Sequence, residues 1–313
     1  MSEAGRTATR IAVPLAARPR RWLGASASFE AYLFLLPLLL IVIGLAGYPL
    51  INGILLSMTN RTVTQPGEFI GLQNFAQLFT DPVYAVAVGN SVLLTAGIVA
   101  AKLVLGLAAA SLLTQAFPLR GLVRSLAFLP WAVPGLVAVL GWRWMLDEQS
   151  GIINAMLRMT GLVNQPVDWL SDPEIALFSI AAVSVWQGLP FFIMMFVGGM
   201  MSIPEELYEA AAIDGAGAWS SFFNVTVPSI FDVIAITVML SLIWTFNAFQ
   251  TVYLLTGGGP ADRTQILPTL AYKYSLQTGE LGLGAAVIVS FAPIFAGMIV
   301  LLTRRMLRER GAR

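Results

Sequence analysis

Few side chains in this sequence are of the types that carry out catalysis. The 313 residues include no cysteine and no histidine, so thiolate nucleophiles, imidazole bases and the usual zinc and haem ligands are missing. The apolar segments hold neither two paired carboxylates nor a nucleophile beside a base. The glycines at 257–259 are not followed by the Gly-Lys-Ser/Thr of a phosphate-binding loop. We therefore expect no catalysis by this chain, and its net charge of +1 does not indicate nucleic-acid binding.

Two apolar segments carry polar and aromatic side chains at helical spacing. In one of them, positions i, i+3, i+4 and i+7 form a single helical face, made of Ser184, Gln187, Gly188 and Phe191. In the other, a stripe and an adjacent polar pair are formed by Ser241, Trp244, Thr245 and Ala248, and by Asn247 and Gln250. Amides and hydroxyls hydrogen-bond to sugar hydroxyls, and an aromatic face stacks on a pyranose ring. These residues are candidates for the lining of a solute pathway, and the alternative is that they hold helices together.

Two basic residues lie within apolar segments. Lys102 is near the middle of its segment, where a charge costs at least ~2.5 kcal/mol unless it meets a partner or water. It either reaches the interface, pairs inside a complex or takes part in transport. Arg143 lies near the end of its segment with Asp147 four residues on, so a local ion pair or an extended side chain explains it.

The stretch from 202 to 228 separates two apolar segments and predicts a helix, a turn and a second helix. Ser202-Ile-Pro-Glu205 has the spacing of a capping box, and Gly215 suits the positive φ that ends a helix. A second helical pattern then runs to Pro228. The stretch has four acidic residues and no lysine or arginine, which indicates contact with a partner protein. The alternative is a solvated amphipathic linker.

Hydropathy predicts an all-α integral membrane protein. Hydrophobic residues make up 57% of the chain and charged residues 11%, which is too apolar for a soluble domain of this length. Six segments exceed the ~20 residues that cross a bilayer core, at about 31–58, 84–115, 123–146, 175–200, 229–256 and 281–303. The first is longer than a signal-peptide core, so we expect an uncleaved span.

Basic residues predict the orientation of these six transmembrane helices. Arginines concentrate in both tails and in the loop between the second and third spans, which places both termini in the cytoplasm. The stretch 202–228 then also lies on the cytoplasmic side. We expect a basic cytoplasmic tail, a first helix with its external loop, a core of five helices that contains 202–228, and a second cytoplasmic tail, at 1–28, 29–83, 84–303 and 304–313.

The stretch 202–228 resembles the EAA motif of the membrane subunits of binding-protein-dependent ABC importers. That motif reads Glu-Ala-Ala, three residues, Gly, nine residues, then an aliphatic residue, one residue, an aliphatic residue and Pro. Its places are held by Glu209, Ala210, Ala211, Gly215, Val225, Val227 and Pro228. Residues 69–75 and 256–260 also resemble features of the carbohydrate-uptake branch, related to maltose and glycerol-phosphate permeases. The resemblance covers about residues 30–305.

This resemblance implies a type I ABC importer permease fold with a cytoplasmic coupling helix, in the inner membrane of a bacterium. It implies that a separate ATPase subunit is contacted by Glu209, Ala210, Ala211, Asp214 and Gly215. The implied partners are a second permease, expected to be a different chain, two ATPase subunits and a soluble substrate-binding protein. The implied cargo is a sugar or oligosaccharide. ATP and magnesium would be bound by the ATPase, and this chain would hold no cofactor.

Two alternatives remain from the sequence. The cargo is instead another small polar solute, such as a polyol or a sugar phosphate, although the lack of a basic cluster in the core spans argues against a strongly anionic one. From a different class, the chain is an ATP-independent secondary transporter. Residues 147–174 predict a short amphipathic helix around Ile152, Ile153, Met156 and Leu157. That helix serves either interfacial packing or contact with the binding protein.

Overall fold

The computed structural model describes residues 26–311, apart from a number of side chains near either end of that range. Most of the predicted basic tail at 1–28 and the last two residues of the tail at 304–313 lie outside the described residues. In the described part every regular element is a helix, and one isolated antiparallel bridge joins Thr59 to Phe69. The predicted all-α class is confirmed for this part of the chain.

The α-helices in chain order are α1 (Ser26–Val42), α2 (Tyr48–Ser57), α3 (Gln73–Thr80), α4 (Pro82–Thr114), α5 (Arg120–Ala132), α6 (Gly135–Met145), α7 (Ile152–Met159), α8 (Ala176–Met201), α9 (Glu205–Ile213), α10 (Ala218–Ser221), α11 (Val227–Ser229), α12 (Phe231–Phe246), α13 (Phe249–Leu255), α14 (Leu267–Tyr272) and α15 (Leu281–Gly311). Three π-helical turns connect neighbouring helices, at Ile43–Gly47, Phe222–Thr226 and Lys273–Gln277. The predicted amphipathic helix in 147–174 is present as α7.

The chain separates into one compact unit that ends at Asn52 and a second that begins at Gly53. In the first unit, nearly every described side chain from Tyr32 onward is exposed, although most of these side chains are apolar. A helix that is apolar all round and exposed suits a lipid environment. The first unit therefore has the surface of a membrane span.

The second unit is built around α4 and α8, which pack along each other. Helix α12 packs against α4, α5 packs against α8, and α13 packs against α6. Gly106 lets α4 and α8 approach closely, because a Cβ atom at this position would lie 2.7 Å from the Cβ of Phe192. Phe192 and Phe196 are fully buried in this contact, and they anchor an apolar core of the unit.

Helix length and composition agree with part of the predicted span pattern. In the described residues three helices are long and apolar enough to cross a membrane, at Tyr32–Ser57, Pro82–Thr114 and Ala176–Met201. Two bent pairs raise the number to five if each pair is one span: α5 with α6, bent by 92°, and Ala218–Ser229 with α12, bent by 70°. The final predicted span at 281–303 lies within α15, which begins with an apolar stretch at Leu281–Pro293.

Local chemistry explains the breaks inside the predicted spans. The segment 123–146 divides at Val133, which is extended at ψ 128° because the next residue is Pro134 and a residue before proline avoids the helical region. The segment 229–256 divides between α12 and α13, where the Asn247 side chain donates to the carbonyl of Ile243 at 2.9 Å and ends α12. Hydropathy detected these apolar segments but not their division.

Buried asparagines fasten loops of the second unit in place. The Asn90 amide donates to the carbonyls of Arg263 and Gln265, at 2.8 and 2.9 Å, and fixes the loop after α13 to α4. Asn154, which is fully buried, donates to the carbonyls of Glu148 and Val167 and accepts from the indole of Trp169. A carbonyl in a buried site needs a donor, so these amides determine how the loops fold back on the helices.

We expect Asn90→Ala to destabilise the chain by about 1 to 3 kcal/mol, because it removes the donor of two carbonyls. The measurement is thermal unfolding of the purified chain in detergent. Asn164→Ala, at an exposed position, is the matched control and should leave the midpoint unchanged. Equal midpoints for the two variants would contradict the assigned role of Asn90.

Candidate functional site

The stretch 202–228, called the docking loop below, contains the predicted helix and turn. Helix α9 begins at Glu205, and Gly215 follows it with φ +78°, a conformation that other residues adopt only with strain. Glu209, Ala210 and Asp214 are exposed, and Ala211 is half-buried. The small side chains therefore leave one side of α9 open to close approach by another surface.

The predicted capping box at the start of α9 is wrong. Ser202 has helical dihedral angles and its hydroxyl donates to the carbonyl of Gly199 at 2.7 Å, so it closes α8 rather than opening α9. The residue before α9 is Pro204, which has no side chain able to cap. Pro204 is compatible with the start of a helix because it lacks the amide hydrogen that would be unsatisfied there.

The two halves of the docking loop are joined by a hydrogen bond and by ring contacts. The Tyr208 hydroxyl on α9 lies 2.9 Å from the Thr226 hydroxyl in the π-helical turn before α11. Trp219 and Phe223 stack with ring centroids 6.1 Å apart, yet both stay exposed. Trp219 and Tyr208 also line an apolar groove of about 1080 Å³ against the final turns of α4. The loop is thus packed together with its neighbours.

A second group of residues, called the polar cluster below, lies where α4, α8 and α12 meet and extends to α13. Its members are Lys102, Gln187, Gly188, Thr245 and Gln250. The Lys102 ammonium lies 3.4 Å from the Thr245 hydroxyl and is buried, with 7% of the residue exposed. Gln187 and Gln250 both approach Gly135 at the start of α6, where an added Cβ would lie 3.1 Å from Nε2 of Gln187. The cluster joins positions that are more than 140 residues apart.

Phe191 and Trp244 form an aromatic pair next to the polar cluster. Their ring centroids are 5.0 Å apart and their planes are tilted by 60°. Trp244 is half exposed and Phe191 is half-buried. An indole face that remains open beside amide and hydroxyl groups is suited to a carbohydrate ring.

The other predicted pathway residues, Ser184, Ser241 and Asn247, either form hydrogen bonds within their own helices or are buried. The Ser184 hydroxyl donates to the carbonyl of Ile180 in its own helix, at 2.8 Å. Ser241 is 2% exposed, whereas Trp244, predicted on the same stripe, is 53% exposed. Asn247 is exposed but its amide caps α12. The structure therefore groups Gln187, Gly188, Thr245 and Gln250, but it does not bring Ser184, Ser241 or Asn247 into that group.

Sequence reasoning missed Gly135 and did not join Lys102 to the predicted pathway residues. Gly135 follows the break at Pro134, and nothing in its spacing indicates that two glutamine side chains pack on it. Lys102 was singled out by its charge alone, because its contact with Thr245 depends on how α4 and α12 cross.

Of the two explanations offered for Arg143, the local ion pair with Asp147 is not formed. Arg143 donates to the carbonyl of Leu254 at 3.2 Å. Asp147 accepts instead from the backbone and the hydroxyl of Ser150 and from the backbone of Gln149, which hold the pKa of its carboxyl below the usual value although desolvation raises it. Both residues line an open pocket of about 710 Å³ with residues of the loop 256–260. The carboxylate shapes a turn there.

An ion pair and a hydrogen bond fix the loop after α13 near α14. The Lys273 ammonium lies 2.8 Å from the Asp262 carboxylate. Burial raises the pKa of Asp262, but hydrogen bonds from Lys273 and Gln265 and the Lys273 charge outweigh it and hold the pKa below the usual value. Burial, followed by the hydrogen bond to Asp81, raises the pKa of the Tyr274 phenol well above its usual range. These contacts hold the loop in place.

No group of three or more acidic residues that could hold a metal ion occurs among residues 26–311, the part of the chain that the structure describes. The arrangement combines a docking loop with open small side chains and a polar cluster inside a helical bundle. It suits binding and movement of a solute.

Comparison with known proteins identifies the family. Residues 102–309 match the family model of the binding-protein-dependent transport system inner membrane component. The chain is 32% identical to the trehalose/maltose transport system permease protein MalF of Thermococcus litoralis, over 87% of this chain and 92% of the relative. It is 30% identical to the sulfoquinovosyl glycerol transport system permease protein SmoG of Agrobacterium fabrum, over 92% of this chain and 94% of the relative.

A solved structure shares the fold. It is the bacterial ABC transporter involved in the import of the acidic polysaccharide alginate, with TM-score 0.77 and 22% identity over 90% of this chain and 96% of the matched chain. The family match covers most of the sequence, and the relatives align over nearly their full length. The chain therefore belongs to the family of binding-protein-dependent transport system inner membrane components, the permease subunits of ABC importers, whose ATPase is a separate subunit.

Proposed function

We propose that this chain forms half of the transmembrane pathway of an ATP-driven importer, and that the cargo is a sugar or oligosaccharide delivered by a soluble binding protein. The observation that carries the proposal is the docking loop: α9 presents Glu209 and Ala210 to solvent and ends at Gly215 in the positive-φ conformation. The cargo class is supported by the relatives, which are permeases for trehalose and maltose and for sulfoquinovosyl glycerol. All of these are glycosides.

We further propose that α9 is the cytoplasmic coupling helix. Its open side, formed by Glu209, Ala210, Ala211, Asp214 and Gly215, docks in a cleft of an ATPase subunit, where Glu209 meets a basic group. The apolar side chains that remain exposed on the loop, Ile213 at 87% and Trp219 at 77%, support this assignment because such surfaces mark contact sites. ATP and magnesium are bound by that partner.

The proposed assembly contains a second permease, two ATPase subunits and the binding protein. This chain contributes six spans with both termini in the cytoplasm, divided as a basic tail, a first helix with its external loop, a five-helix core and a second tail at 1–28, 29–83, 84–303 and 304–313. Length and composition support three spans, or five if each of the two bent pairs is one span. In this proposal α15 is the sixth span. The membrane is the inner membrane of a bacterium.

The contacts suggest how motion passes from the docking loop to the pathway. Gly215 fixes the angle at which the chain leaves α9, and the bond between Tyr208 and Thr226 connects α9 to the base of α12. Helix α12 carries Thr245 and Trp244, and α8, on the other side of the loop, carries Gln187. Displacement of α9 therefore rotates α8 and α12 as rigid bodies, and the polar cluster changes its exposure from one side to the other.

The pathway is assigned to the polar cluster and the aromatic pair Phe191 and Trp244, with Ser184, Ser241 and Asn247 as supporting positions. Exposing an amide or hydroxyl side chain to lipid costs free energy. When these side chains lie between helices, they can bind each other or water instead. The competing assignment is helix-to-helix adhesion. A second cargo class, a polyol or a sugar phosphate, would use the same groups.

Reconstitution tests the proposal against an ATP-independent transporter. Uptake of a panel of labelled glycosides, neutral and acidic, is measured in liposomes with this chain alone and with the partner permease, ATPases and binding protein. We expect uptake only in the complete assembly with ATP. Uptake by this chain alone, driven by an ion gradient, would show that the ABC importer assignment is wrong.

We expect Glu209→Lys and Gly215→Pro to abolish transport while the protein still inserts in the membrane. The first variant reverses the charge that meets the ATPase, and the second forbids the positive φ of the turn. Uptake and substrate-stimulated ATP hydrolysis are measured in membranes with equal amounts of protein. Glu174→Lys, the same charge change at an exposed position away from the loop, should keep both activities. Normal coupling in the Glu209 and Gly215 variants would refute the docking role.

We expect Tyr208→Phe to loosen coupling without unfolding the chain. The variant removes one hydrogen bond, to Thr226, which is worth about 0.5 to 1.5 kcal/mol. More ATP should then be hydrolysed for each solute molecule imported. Tyr48→Phe, at an exposed tyrosine, is the control. An unchanged ratio of ATP to solute in Tyr208→Phe would show that this bond does not transmit motion.

A further inference from the structure

Lys102 is a buried cation in the middle of α4. The chain has two lysines, and the other, Lys273, forms an ion pair with Asp262. Lys102 is 7% exposed and its ammonium has one hydrogen-bond partner among the described residues, the Thr245 hydroxyl at 3.4 Å. An ammonium has three donors, so two remain for another acceptor.

Gly188 on α8 makes room for this ammonium. A Cβ atom at position 188 would lie 2.5 Å from Nζ of Lys102 and 2.6 Å from Cε. The lysine tip therefore occupies space that any other residue at 188 would fill. Since Gly188 and Thr245 both lie against the lysine tip and only 7% of the residue is exposed, the ammonium lies within the polar cluster and away from lipid.

Nothing in the described residues neutralises this charge. No carboxylate of residues 26–311 with a described side chain lies within ion-pair distance of Lys102. A charge inside the membrane is costly without an opposite charge or water. Apolar cores that include Val99 and Phe192, and Ile98 and Ile180, lie around α4, so the surroundings of the ammonium offer little other polar compensation.

We propose that Lys102 determines cargo specificity by binding an acid group, and that the cargo is a saccharide carrying a carboxylate or a sulfonate. Two oxygens of such a group accept the two free donors of the ammonium and supply the missing opposite charge. One lysine away from bulk water is sufficient for one acid group, so a cluster of basic residues is not needed. The inference rests on the proposed function, in which the polar cluster lines the pathway.

The experiment uses the complete importer with its binding protein in ATP-loaded proteoliposomes. The probes are two matched pairs of labelled glycosides: a dihexuronate with the corresponding neutral dihexose, and a sulfonated hexosyl glycerol with the neutral hexosyl glycerol. We expect at least one acidic probe to be taken up. Uptake of the neutral glycoside matched to that probe should be at least tenfold lower. Lys102→Met should raise the KM for the acidic probe at least tenfold, and Lys102→Arg should retain most of the uptake.

Two further variants separate binding from packing. Gly188→Ala should displace the ammonium without removing it. The KM for the acidic probe should therefore rise in this variant by a smaller factor than it does in Lys102→Met. Lys273→Met, the other lysine, should leave the preference for acidic probes unchanged. A merely structural role of Lys102 would lower the transport rate of acidic and neutral probes alike and leave their ratio unaltered.

The absence of cysteine from the chain allows a chemical rescue. Lys102→Cys should lose uptake of the acidic probe and recover it when aminoethyl methanethiosulfonate restores an ammonium. The sulfonatoethyl reagent, which adds a negative charge, should not restore it. The importer with unsubstituted Lys102, treated with the same reagents, accounts for cysteines of the partner subunits.

Uptake of neither acidic probe, or unchanged acidic uptake in Lys102→Met, overturns the inference. Rescue by the sulfonatoethyl reagent as well as by the aminoethyl reagent also overturns it. ATP-dependent uptake of neutral glycosides alone would leave the proposed importer function in place. Transport without ATP or partner subunits would count against the proposed function itself, so the two failures are distinct.

Discussion

The high cost of an unsatisfied polar group in hydrocarbon governs this structure. Helices satisfy the backbone, and the buried asparagines satisfy carbonyls where helices end and loops return, as Asn90 does for Arg263 and Gln265. The same cost favours the position of Lys102 and Thr245, next to Gly188, at the junction of α4, α8 and α12, away from lipid. The proposed solute-binding groups lie at this junction, and Lys102, a buried charge, is the extreme case.

Motion in this account comes from outside the chain. Family membership places ATP hydrolysis in a separate subunit, so a mechanical connection must reach from the surface to the bundle interior. The docking loop is suited to that role because it is short, is joined internally by Tyr208 and Thr226, and continues from α8 through α11 into α12. Small side chains on α9 leave its open side free for a partner, while the apolar side chains nearby extend the contact surface.

Much of this arrangement follows from local sequence. Hydropathy located the apolar segments, the Gly215 turn followed from glycine's freedom at positive φ, and the motif spacing indicated the family. The contacts between helices across the bundle could not be predicted from local sequence. The division at Val133 required knowing how the chain responds to Pro134, and the separation of Ser241 from Trp244 required the packing of α12 on α4. Ser202 closes the preceding helix because its dihedral angles continue α8, which spacing alone does not specify.

In the proposed importer, the docking loop contacts the ATPase on the cytoplasmic side. Because the chain lacks cysteine, Ala210→Cys provides a single attachment point for a benzophenone maleimide photo-cross-linker. In the complete importer, illumination should attach this position to the ATPase subunit, and a membrane-impermeant maleimide added outside right-side-out vesicles should not label it. Labelling from the outside, or illumination products that contain only lipid, would contradict the account.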